Sequence, residues 1–181
     1  MRRILSLVCF CLTVVLLSAC HRSPVTVAQS RITMPGPQCV SLMNGKVLKA
    51  QGVLSLSGEK PYCWIHYDSK ALCSTCLLKQ YYLWDELIDR LGEDLVEYVF
   101  VLEPRPDFTT DKLAEALNEN YFSRPVYIDR EGSFAVENGV QTKSGCADIL
   151  IDKEGNVCLV GDIRNDVRMF DRAKKVISFK H

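Results

Sequence analysis

The sequence is short of net charge, of histidine and of long apolar runs, and each shortage excludes something. Its 22 Lys and Arg residues balance 22 Asp and Glu residues across 181 positions, so no basic field is available to hold a phosphate backbone, and nucleic-acid binding is disfavoured. Its three histidines, His21, His66 and His181, offer no H-x₃₋₅-H spacing for a zinc finger. The apolar run Ile4–Ser18 falls under the roughly 18 to 20 residues a membrane span needs. Gly and Pro are modest at ten and seven, while 48% of residues are hydrophobic, which excludes a disordered chain. No repeat or low-complexity tract appears. What the chain does carry is nine cysteines, too few for a disulfide-stapled miniprotein and more than a cytosolic domain usually holds.

Three of the nine belong to the N-terminal segment. Met1-Arg2-Arg3, the apolar stretch and the small residues before Cys20 are the parts of a secretory signal. Leu17-Ser18-Ala19-Cys20 resembles the bacterial lipobox. That resemblance implies cleavage of residues 1–19, loss of Cys9 and Cys11, and lipidation of Cys20 as the new first residue. Acyl chains at about 0.8 kcal/mol per buried CH₂ would hold the protein at a membrane. His21-Arg22-Ser23-Pro24 lacks the acidic character of a surface-export signal, so the expected location is the cell envelope, facing the periplasm. Without Arg2 and Arg3 the balance is 20 basic against 22 acidic residues, a net charge of −2, so attachment would rest on lipid rather than on a polybasic patch.

Residues 20–38 are polar, with Pro24, Pro35 and Pro37, and read as a lipidated tether. Residues 39–60 carry short apolar stretches between Gly45, Gly52 and Gly58, suiting a peripheral extension of strand or hairpin type. From 61 to 181 the pattern is one α/β domain. Tyr62–Tyr67 reads as a strand, and Leu77, Tyr81, Trp84, Ile88 and Leu91 recur at helical spacing up to Gly92. Leu95–Leu102 is a near-continuous apolar run expected of a strand buried on both faces. A helix opening at Thr110 or Asp111, a short strand at Pro125–Ile128, a hairpin of 148–151 and 157–160, and a helix capped by Asn165 complete the order. A helical crossover between parallel strands followed by an antiparallel hairpin gives a mixed sheet flanked by helices.

The chemistry concentrates at Cys73-Ser74-Thr75-Cys76, where the loop after the first domain strand meets a helix start. Unpaired N–H groups and the positive helix end stabilise a thiolate there, and in C-x-x-C motifs so placed the thiol pKa falls to roughly 3.5–7.5. Cys73, nearer the solvent edge, is the natural attacker, and Cys76, one turn inward, can resolve the mixed disulfide. The other readings are a zinc ligand pair, a short structural disulfide that would constrain little of the unfolded chain, or two packing cysteines.

These residues, with Tyr67-Asp68-Ser69 before them, Pro125–Asp129 and the hairpin from Ile149 to Val157, resemble the thioredoxin-like superfamily, particularly the TlpA and redoxin-type bacterial lipoproteins. The resemblance spans about residues 60–179. It implies a three-layer sandwich with a mixed sheet, and disulfide exchange through Cys73 and Cys76 with protein or small-molecule thiols and an upstream redox partner, using no cofactor. Leu72, Ser74 and Thr75 stand where the family places an aromatic residue and a Gly-Pro-like pair. Where the family has a cis-proline facing its cysteines, this chain has Cys146, or Ala147 if the turn differs by one residue. Cys146 would then be a third thiol, with three possible roles: a regulatory disulfide with Cys73, a soft-metal site with Cys73 and Cys76, or a small buried residue of the sheet.

His66 precedes the active loop and could accept a proton from Cys76, or be a satisfied strand histidine. Asp68 and Ser69 could polarise the loop or merely end the strand. Cys63 and Cys158 fall in apolar strands and read as core residues, whereas Cys39 has no assignment. Lys70 occupies the place of the threonine that peroxiredoxins carry before their reactive cysteine. Two function classes remain: a membrane-anchored thiol–disulfide oxidoreductase, and a non-catalytic binding lipoprotein of the same fold.

Overall fold

A computed structural model describes residues 25–33, 40–43, 46–49, 59–70, 80–122, 124–166 and 168–178. The elements in chain order are β1 (Val25–Thr26), β2 (Val40–Met43), β3 (Lys46–Lys49), β4 (Tyr62–Asp68), α1 (Tyr82–Leu91), β5 (Val96–Leu102), α2 (Thr110–Glu119), β6 (Val126–Ile128), α3 (Ser133–Asn138), β7 (Gln141–Thr142), β8 (Cys146–Asp152), β9 (Val157–Gly161) and α4 (Arg168–Ser178). The main sheet runs β3-β2-β6-β5-β4-β8-β9. Strands β4, β5 and β6 are parallel, β8 and β9 continue antiparallel beyond β4, and the β2–β3 hairpin adds antiparallel at the opposite edge. The mixed α/β sheet read from the sequence is therefore present, and within the expected 39–60 extension Val40–Met43 and Lys46–Lys49 form the edge hairpin.

Strand periodicity sorts the core onto two faces. Tyr62 and Trp64 of β4 and Cys146 and Leu150 of β8 point into one cluster, closed by Trp84 and Ile88 of α1, Leu113 and Leu117 of α2, and Met169, Phe170 and Ala173 of α4. Cys63, Ile65 and Tyr67 point the other way, against Ala147, Ile149, Ile151 and Phe134 of α3. Every residue of β4 is buried, as expected of a central strand covered on both sides. Helix α1 ends at Gly92, whose φ of 89° is left-handed and whose N–H donates to the Ile88 carbonyl. Among the described residues no helix is long and apolar enough to cross a membrane.

Three local readings need correction. Within the expected tether of residues 20–38, residues 25–33 lie on the domain: β1 pairs with β7, Ile32 N–H donates to the Gly155 carbonyl, and Val25 and Ile32 are buried in the second cluster. Their apolar side chains are spaced too widely to give a periodic signal, yet they cover a sheet face that α3 alone leaves bare. Asn165 does not cap α4. Its amide donates to Asp162, and Asp166 Oδ1 accepts the Arg168 N–H instead. Helix α3 was not anticipated, because six residues carry too little periodicity. It is held by Asp129, whose carboxylate accepts from the backbone N–H groups of Ser133 and Phe134.

Candidate active site

The candidate site grows from polar side chains that interrupt the apolar alternation of two neighbouring strands. On β4, His66 and Asp68 follow Trp64 on one face. On β8, Cys146 and Asp148 precede Leu150 on the same face, and the register pairs His66 with Asp148 and Asp68 with Cys146. All four are buried. Burying such groups costs several kcal/mol unless each is paired, and the pairing here is complete.

The imidazole of His66 lies between two carboxylates, with Nδ1 2.8 Å from Asp148 Oδ1 and Nε2 3.1 Å from Asp68 Oδ2. Asp148 Oδ1 also accepts from Trp64 Nε1 at 3.0 Å, and its Oδ2 accepts from the Ile163 N–H at 2.8 Å. Asp68 gathers the rest: Oδ2 accepts from the Tyr81 hydroxyl at 2.8 Å, and Oδ1 accepts from Cys146 Sγ at 2.9 Å and Arg164 Nη2 at 3.3 Å. Asp68 and Asp148 thus face the His66 imidazolium and the Arg164 guanidinium, which the buried Asp162 also approaches. Trp84 packs on the His66 ring at 4.6 Å between centroids, and such an aromatic face favours a cation.

These contacts set the protonation states. Burial alone pushes the His66 pKa down, but the charges of Asp68 and Asp148 and their hydrogen bonds outweigh it and push it up to about 10. Burial likewise opposes ionisation of Asp68, and the His66 and Arg164 charges with the Tyr81 hydrogen bond hold it below the usual carboxylate range. Tyr81 is pushed well above the ordinary phenol value, by burial and then by the Asp68 charge. His66 therefore carries its proton at neutral pH and donates from both nitrogens. With no free lone pair it fits the alternative of a satisfied strand histidine.

Cys73 and Cys76 lie outside the described residues, as do Cys20 and Cys39. The segment that carries the C-x-x-C pair has both its flanks in the cluster, since Asp68 precedes it and Tyr81, bonded to Asp68, follows it. On the near side Ser69 N–H donates to the Gly145 carbonyl, and Lys70 pairs with Glu103 at 3.0 Å. Cys146 is the first residue of β8, opposite the last residue of β4, and has no exposed surface. Cys63 is a core residue as expected, its thiol pKa pushed up by burial and by Glu97, while Cys158 is half-buried against the first cluster. Among the described residues no group of three or more His, Cys, Asp and Glu side chains is arranged to hold a metal ion.

No protein-family model and no curated protein matches the chain. Solved structures do. A thioredoxin-like protein in its oxidised form, solved in solution, superposes with a TM-score of 0.56 at 24% identity, covering 83% of this chain and 98% of the other. The fold is thioredoxin-like. A thiol-disulfide isomerase from Corynebacterium glutamicum superposes at a TM-score of 0.57 and 17% identity, covering 82% and 96% of the two chains. A putative thiol:disulfide interchange protein DsbE from Chlorobium tepidum superposes at 0.55 and 15% identity, covering 82% and 98%.

Within this thioredoxin-like frame, sequence reasoning singled out His66, Asp68 and Cys146 but not Asp148, Tyr81, Trp64 or Arg164. The available signal was the spacing of two in Trp64-x-His66-x-Asp68 and Cys146-x-Asp148, which places polar groups on one face of strands otherwise fit for a core. Tyr81 gave none, because its hydroxyl looked like part of an apolar helical stripe. Chemically the cluster can fix an anionic oxygen beside the start of the C-x-x-C segment and hold a guanidinium at the surface.

Proposed function

We propose that this chain is a lipid-anchored, periplasm-facing thiol–disulfide oxidoreductase in which Cys73 and Cys76 cycle between dithiol and disulfide. The observation that supports it most directly is the thioredoxin-like order of strand β4, C-x-x-C segment and helix α1, with the segment's flanking residues joined by the Asp68–Tyr81 hydrogen bond. The superposed structures named as disulfide isomerase and interchange proteins agree with it.

In the reductive direction the Cys73 thiolate attacks one sulfur of a substrate disulfide. The substrate S–S bond breaks, its other sulfur leaves as a thiolate, and a mixed disulfide forms. The Cys76 thiolate then attacks the Cys73 sulfur and releases the second substrate thiol. The substrate gains two electrons, and Cys73–Cys76 becomes a disulfide that an upstream dithiol reduces, itself ending as a disulfide. The same steps run backwards oxidise a substrate dithiol. In this scheme the cluster around Asp68 has a positioning role, joining the residues on either side of the segment.

Insulin reduction and titration in glutathione redox buffers test the reading, with Cys73→Ser and Cys76→Ser as controls. Activity confined to the wild type supports it. A wild type indistinguishable from both variants overturns it in favour of a non-catalytic binding lipoprotein. Substitution Cys76→Ala stalls the mixed disulfide and identifies the substrate by mass spectrometry. For the anchor, globomycin should leave the precursor unprocessed, and a processed but unlipidated protein would remove Cys20 from the scheme.

A further inference from the structure

A cavity of about 250 Å³ opens between α1 and the loop joining β9 to α4. Its base is the polar cluster, through His66 and Tyr81, both buried. Its walls are apolar, with Leu83 and Leu87 on α1 facing Ile163 on the loop. Leu83 is 43% exposed, an unusual expense of apolar surface beside a charged rim.

Two guanidinium groups flank this space. Arg164 reaches Asp68 with one N–H and lies 3.9 Å from Asp162 through Nε. Beyond these carboxylates the described residues offer its remaining N–H groups no acceptor. Arg90 has its guanidinium carbon 4.4 Å from the centroid of the Phe170 ring. Stacking holds such a group flat while leaving its edge donors outward, and no described carboxylate pairs with Arg90. Glu86 also lines the cavity, but no ion pair joins it to either arginine. The rim thus carries the Arg90 guanidinium, paired with no described carboxylate, and the remaining donors of Arg164, whose charge Asp68 and Asp162 share, beside Glu86 and over an apolar interior.

We propose that this cavity binds a small carboxylate with an apolar body, the carboxylate held by Arg90 and Arg164 and the hydrocarbon lying along Leu83, Leu87 and Ile163. Concave apolar sites with a few convergent polar groups are where small ligands bind, and this volume suits a medium-length chain. Planar guanidinium forks recognise carboxylates in pairs of hydrogen bonds. The proposal assigns no role to Cys73 or Cys76.

The test is a methyl and arginine Nε NMR titration of the full chain with sodium octanoate, and with octanamide as the uncharged isostere. Saturable shifts confined to Leu83, Leu87, Ile163, Arg90 and Arg164 are expected. Loss of the charge-assisted contacts should make octanamide bind about tenfold more weakly. Arg90→Gln should weaken octanoate about tenfold with an unchanged unfolding midpoint, and Leu83→Asp, at an exposed position, should abolish binding. Equal affinity for the two probes, shifts spread away from the cavity, or no saturation would overturn the proposal. So would an acidic peptide that occupies the cavity while octanoate does not.

Discussion

The Cys146 thiol donates to Asp68 Oδ1 across 2.9 Å at the point where β8 begins beside the end of β4. This contact satisfies a buried donor and a buried acceptor at once, and it makes Cys146 a structural partner of the residue that leads into the C-x-x-C segment. Replacing it by alanine leaves Asp68 with its bonds to His66, Tyr81 and Arg164. The expected cost of Cys146→Ala is about 1.5 to 3 kcal/mol, the range for one hydrogen bond to a charged group, read as a lower urea midpoint.

The same burial predicts the order of thiol reactivity. Iodoacetamide on the native, reduced protein should leave Cys63 and Cys146 unmodified, because neither presents more than 2% of its surface and the Cys63 thiol is pushed away from ionisation. Peptide mass mapping checks this. Cys73 should be modified first if it is the attacking thiolate. Native labelling at Cys146 ahead of Cys73 would show that the β4–β8 edge opens and that Cys146 is free to form a disulfide.

Stability should have a plateau set by His66 and Asp68. The His66 pKa is raised when folded, from 6.5 to about 10, so its contribution is fully present below pH 6.5 and is lost as pH rises toward 10. Within that window the slope should approach about 1.4 kcal/mol per pH unit, the value for one proton. Asp68 is shifted the other way, so its contribution is present above the ordinary carboxylate pKa of 3.8 and is lost as pH falls. The measurement is urea unfolding from pH 4 to 9. His66→Gln should remove the alkaline slope and, by leaving two buried carboxylates face to face, cost about 3 to 5 kcal/mol.

Much of the frame was legible because it rests on period and length. The apolar run ending at Leu102, the helical stripe through Trp84 and Ile88, and the hairpin about Asp152–Asn156 each announce one element, and the structure keeps them. The site was legible only as a list of polar residues in strands. That His66 meets Asp148 depends on β8 pairing antiparallel with β4 in one particular register, and nothing local in either strand specifies the partner. The packing of residues 25–33 was hidden for a related reason: Val25 and Ile32 gain their burial from β9 and α3, more than a hundred positions away in the sequence.

That packing can be tested at one close approach. Gly139 closes α3 with a φ of 59°, a left-handed conformation that favours glycine, and a Cβ placed there would collide with the Cβ of Ala28. Ala28 N–H also donates to the Gly139 carbonyl at 3.3 Å, so the two segments cannot separate without losing a hydrogen bond. Gly139→Ala should therefore destabilise the domain by about 1 to 3 kcal/mol, combining backbone strain with overpacking. Ala28→Gly in the same chain should recover the steric part and leave the strain, an interaction of at least about 0.5 kcal/mol in a double-mutant cycle. Strict additivity of the two substitutions would mean that residues 25–33 do not lie on the domain in solution and that the tether reading was right for them after all.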